Sequence, residues 1–333
     1  MLRIRLVYEQ IEAAKMHLLT RSVLGCRLAL ILLDNVAEIL MHRELETRFA
    51  FDDHLMPKWE PARTEWLNLG HAPKYSLAER RDAQEYFAPK TKILCLRLAK
   101  ISVEDRQVLD VCHKLRNEAF HRGKLRGSIL ELVCRLLYRT VVGLTVKLPI
   151  RSFALPGRHP KSEDASFMSR FGLRDAMMLG TDKGREQCAE RLLDGIALDS
   201  SFSAVLSDDL LERIDETIGG MEHVSNAGDD TELDRGLQYT QFWRTLGADL
   251  MNTGVRGPAM ENAFRSWQAQ GSAVYTLTKI QRWKQQAEAL SKCSSPAIAL
   301  DHYWAVDKRL RPLEEEVSEA VWRYDEEIDA QIH

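Results

Sequence analysis

Apolar residues recur along this chain at three- and four-residue steps and almost nowhere alternate, so its building elements are helices and not strands. From Arg21 to Arg48 the positions Val23, Leu24, Leu28, Ile31, Leu32, Val36, Ile39 and Leu40 make one broad apolar face, interrupted by Asp34, Asn35, Glu38 and His42. Residues 1–19 set Leu2, Leu6, Ile11, Ala14 and Leu18 at mixed steps that suit an amphipathic helix. Further helices are predicted over 79–100 (bent near Pro89), 103–121, 129–147, 183–198, 203–222, 231–251, 258–290 and 298–329. The stretch 52–78 carries Pro57, Pro61, Gly70 and Pro73 and reads as ordered loop or short helical turns. No repeat of fixed period is present. The expected fold is all-α.

A chain of 333 residues accommodates two domains. Hydrophobic residues at 45% and charged residues at 29% exclude wholesale disorder. Proline, glycine and charge concentrate in 149–165, which is the expected linker between an N-terminal domain, 1–148, and a helical C-terminal domain, 166–333. The 6 cysteines form no CxxC pair and read as reduced core residues of a cytoplasmic protein. The first residues show no apolar signal core, and the longest apolar run, Leu28 to Leu33, is too short for a bilayer. No membrane partner is expected. The net charge of −3 hides an asymmetry: residues 1–150 hold 25 Lys+Arg against 18 Asp+Glu, and the remainder 21 against 31. Only the first half attracts a polyanion.

The segment Leu115-Arg-Asn-Glu-Ala-Phe-His-Arg-Gly123 carries the most chemistry. At about 100° per residue, Asn117 and His121 lie within about 40° of each other, while Arg116 stands about 140° from His121. The three converge if the helix end is irregular or if a second subunit supplies half of the site. Eight basic residues against three acidic ones occupy 106–139, and Arg122, Lys124 and Arg126 flank the segment, placed to hold neighbouring phosphates. Ser128, three residues before Glu131, reads as a capping box opening the next helix.

Arg116, Asn117 and His121, near the end of one helix and followed by a final apolar one, resemble the Arg-x(4–6)-His motif of the HEPN superfamily of nucleotide-binding domains. An early helix with polar interruptions, Leu32 to Leu40, belongs to the same likeness, which covers residues 1–148 and not the rest. The resemblance implies an N-terminal helical bundle acting as a metal-independent endoribonuclease, formed as a homodimer that brings two motifs together. It also implies a toxin or antiphage-defence role, with an antitoxin or other regulatory partner. The chemistry is consistent: RNA supplies its own 2′-hydroxyl nucleophile, His121 exchanges protons near neutrality, Arg116 neutralises the phosphorane, and Asn117 orients either. No cofactor is implied. The same residues also suit a non-catalytic nucleotide-sensing or protein-interaction module, which is the alternative.

Other patterns are weaker. Glu118 and His121 form an ExxH step, but the second ExxH of a di-metal bundle is missing from the sequence, and no metal site is expected. Asp34, Glu38 and His42 share a face, on which Asp34 or Asn35 is placed to line the cleft and brace Arg116 or His121. The remaining histidines, His113 among them, read as surface or satisfied core residues. Aromatics of the C-terminal half, from Phe242 to Tyr324, read as core. Glu314–Glu316 and Asp325–Glu327 read as the solvated acidic back of a docking helix, able to rest on a basic cleft.

Overall fold

Every regular element among the described residues is a helix, as the apolar steps require. The structure, a computed structural model, describes residues 2–55, 58–69, 73–122, 127–149, 162–225, 230–255, 257–271 and 273–332. It divides into two units, Met1–Ser200 and Ser201–His333.

The first unit contains α1 (Leu2–Leu19), α2 (Val23–Leu55), α3 (Glu60–Asn68), α4 (Leu77–Glu85) and α5 (Phe87–Lys92), the last continued by a π-helical turn, Ile93–Arg97. It goes on through α6 (Val103–Arg122), α7 (Gly127–Lys147), α8 (Ser162–Phe171) and α9 (Asp182–Leu193). The long helix α2 is central and packs against α1, α6 and α7. Leu30, Leu33, Val36, Ala37 and Leu40 line its buried side. The bend expected at Pro89 falls instead at Tyr86, whose extended backbone separates α4 from α5. Pro89 sits in the first turn of α5, where a missing N–H is harmless.

The division lies after Ser200 and not within 149–165, because α8 and α9 pack on α1 and α7. Phe167 and Phe171 meet the Tyr8 ring edge-on at 5.8 and 5.4 Å, and the Tyr138 hydroxyl donates to the Leu192 carbonyl at 2.8 Å. The proline-rich segment therefore joins two helices of one unit; residues 150–161 lie outside the described ones.

The second unit contains α10 (Phe202–Ser225), α11 (Asp230–Phe242) with a π turn at Trp243–Gly247, α12 (Ala248–Asn252), α13 (Pro258–Ala269), α14 (Leu277–Leu290) and α15 (Pro296–Ile332). Helix α10 is its axis, packed against α11, α14 and α15. Phe242, Met260, Phe264 and Trp267 form a core cluster, so these aromatics pack inward, while Trp322 is exposed. Glu314 and Glu316 are not a solvated back. Glu314 takes both Nε and a terminal nitrogen of Arg213 at 2.7 and 2.8 Å, and Glu316 pairs with Arg244.

Candidate active site

Asp34, with Glu44, is a carboxylate on the buried side of α2, and it is only 3% exposed. A carboxylate so placed needs partners, because leaving it unpaired away from water is costly. Helix α6 supplies them from positions three apart, which lie on one helical face. Oδ2 of Asp34 accepts from Nε and a terminal nitrogen of Arg116 at 2.9 and 2.6 Å, and Oδ1 lies 3.0 Å from Nδ1 of His113. The side chains of Arg116 and His113 keep 28% and 22% exposure, so solvent and solutes reach both.

Three neighbouring devices hold this pair of helices. On α5, Phe87 stacks flat on the His113 ring, with centroids 4.0 Å apart. One turn along α2, Glu38 accepts from the buried Lys90 of α5 at 2.8 Å, and Thr91 donates to Asp110 of α6 at 2.7 Å. Ser102 and Asp105 cap the start of α6 reciprocally, and Asp105 also pairs with Lys147 of α7 at 2.5 Å. Burial first, and the Asp34 carboxylate second, push the Cys112 thiol well above its ordinary range, so beside Asp34 it stands as a neutral, packed thiol.

The expected residues distribute as follows. Asp34 braces Arg116, as the α2 polar stripe foreshadowed. Asn35 turns to α1 instead, donating to Gln10 at 3.1 Å, and His42 pairs with Glu46 on its own helix. Asn117 is exposed on α6. The backbone stays helical through His121 and Arg122, which removes the irregular helix end as a route for joining Arg116 to His121. The side chains of His121 and Arg122, and the whole of Lys124 and Arg126, lie outside the described residues. Ser128 falls inside α7 and its side chain is likewise outside them.

His113 is the residue that sequence reasoning passed over. Its signal was present: three residues before Arg116, it shares that residue's face. Among the described residues, no group of three or more His, Cys, Asp or Glu side chains is arranged to hold a metal ion, and no helix is long and apolar enough to cross a membrane. Comparison with protein-family models, with curated proteins and with solved structures finds no match.

Proposed function

We propose that the chain is a metal-independent endoribonuclease of the HEPN type, with Arg116, Asn117 and His121 as its core. The observation that carries this reading is the buried Asp34 carboxylate fixing a solvent-accessible Arg116 across 82 positions of sequence. A guanidinium held at its Nε side by one carboxylate oxygen is pre-oriented, and pre-orientation is what makes a phosphate-binding cation effective on a developing phosphorane. His121 follows on the same continuous helix.

The reaction is intramolecular in RNA. A base removes the 2′-hydroxyl proton, O2′ bonds to phosphorus, and the P–O5′ bond breaks as an acid protonates O5′. Products are a 2′,3′-cyclic phosphate and a 5′-hydroxyl. On one straight helix Arg116 and His121 diverge by about 140°, so a two-fold pair of chains is the arrangement proposed to bring both onto one phosphodiester. Arg122, Lys124 and Arg126 are proposed to hold flanking phosphates. The biological role proposed with this chemistry is that of a cytoplasmic toxin or antiphage-defence effector, restrained by an antitoxin or regulatory partner.

A second reading rests on the same ion pair. Asp34 compensates the charge of Arg116 within the chain, which suits a module that binds a nucleotide or a partner without turnover. The two readings separate on incubation with tRNA and total RNA in EDTA. The nuclease reading expects cleavage by the wild-type chain and none by Arg116→Ala or His121→Ala variants that remain folded at the assay temperature. Thermal stabilisation by a nucleotide without any cleavage establishes the second reading instead.

A further inference from the structure

The geometry points to His113 as a second catalytic residue, the general base of the cleavage proposed above, on which this inference rests. The Asp34 carboxylate only accepts hydrogen bonds, so the Nδ1 it contacts at 3.0 Å carries the proton, and the lone pair of the neutral ring is on Nε2. Phe87 fixes the plane of the ring, 11° from its own. Tautomer and orientation are thus both set, by the logic that a carboxylate imposes on a catalytic imidazole. The 3.4 Å approach of Arg116 to Nδ1 is then a packing contact between two donors that serve one carboxylate.

Helical arithmetic places the group where the reaction needs it. His113 precedes Arg116 by about 4.5 Å along the axis, and His121 follows it by about 7.5 Å. Around the axis, His113 lies between Arg116 and the Asn117–His121 face, dividing the gap of about 140° into steps of about 60° and 80°. An in-line displacement has its attacking and leaving oxygens on opposite sides of phosphorus. A phosphate on Arg116 therefore has the His113 imidazole of the same helix beside it, and the opposite side is left for His121 of the second chain of the proposed two-fold pair. His113 Nε2 takes the proton from the 2′-hydroxyl as the O2′–P bond forms, and His121 gives a proton to O5′ as the P–O5′ bond breaks. Water returns both groups to their starting states. Charged groups on the packed elements are Asp34 and Glu38 of α2, Lys90 of α5, and Asp110, Lys114 and Arg116 of α6. Glu38 and Lys90 neutralise each other, and Asp110 is paired with Arg106.

The test uses the full chain and a defined RNA in EDTA. His113→Asn keeps an amide N–H for Asp34 and hence the brace on Arg116, while deleting the base; His113→Gln is the companion variant, and melting curves select those that fold. The expected result is a fall in kcat of about 100-fold or more with KM unchanged, loss of the acid-side limb of the pH–rate profile, and partial recovery of His113→Ala by added imidazole. Folded variants that keep kcat within threefold and retain that limb overturn the role of His113 while leaving the nuclease standing. A wild-type chain inert on every RNA overturns both.

Discussion

Asp34 is where the molecule concentrates its risk. One buried carboxylate serves two side chains of another helix, so its removal leaves the Arg116 guanidinium and the His113 Nδ1 proton without their partner. Asp34→Ala is expected to destabilise the first unit by about 2 kcal/mol, less than for a fully enclosed pair because Arg116 is partly solvated; urea denaturation followed by circular dichroism measures it. The Asp34 expectation drawn from sequence held for one of its two candidates. Both Asp34 and Asn35 interrupt the apolar run, but about 100° of helical rotation sends Asn35 towards α1 and Asp34 towards α6. Sequence spacing cannot say which helix will stand on which side. His113 is invisible to ligand spacing, because its partner is neither a metal nor a sequence neighbour.

At the level of elements, periodicity located the helices well where each buries one continuous face. The expected 103–121 and 129–147 correspond to Val103–Arg122 and Gly127–Lys147. It failed over the expected 258–290, which is in fact α13 and α14, parted at Gly271, whose φ is +65°; on one continuous count the buried Met260, Phe264 and Trp267 lie about 150° from the buried Ile280, Trp283, Ala287 and Leu290. Local backbone also shows a strained position. Ala99, exposed after the π turn, has φ +48°, a conformation unfavourable for any residue with a Cβ. The turn there is closed by the Lys100 N–H on the Leu94 carbonyl at 2.9 Å. Ala99→Gly is expected to stabilise the chain by about 1 kcal/mol, read as a rise in melting temperature. A fall would mean that the turn does not hold this conformation.

For the whole molecule, the fold class was legible and the division was not. Proline and glycine density marks a loop, and a loop inside a unit has the same composition as one between units; what decides is packing, here Phe167 and Phe171 on Tyr8. The second unit is organised around Arg213, which bonds Asp307 at 2.8 Å and Glu314 at 2.7 Å while the Tyr303 hydroxyl donates to Asp209 at 2.7 Å. Arg213→Met takes both guanidinium bonds from Glu314, while Asp307 keeps Arg311 and Asp209 keeps the Tyr303 hydroxyl, and is expected to cost about 3 kcal/mol. The loss is expected in the second unit alone, with the Asp34 region unaffected, as hydrogen exchange resolved along the chain will read.

The proposed reaction is the attack of an RNA 2′-hydroxyl on its own phosphodiester at Arg116. It is tested most directly with a short RNA incubated in EDTA beside an otherwise identical strand carrying a 2′-O-methyl group at the cut position, the ends of the products being identified by mass. A 2′,3′-cyclic phosphate and a 5′-hydroxyl are expected from the first strand and no cut at that position in the second. Equal cleavage of both strands, or a 5′-phosphate on the product, would contradict it.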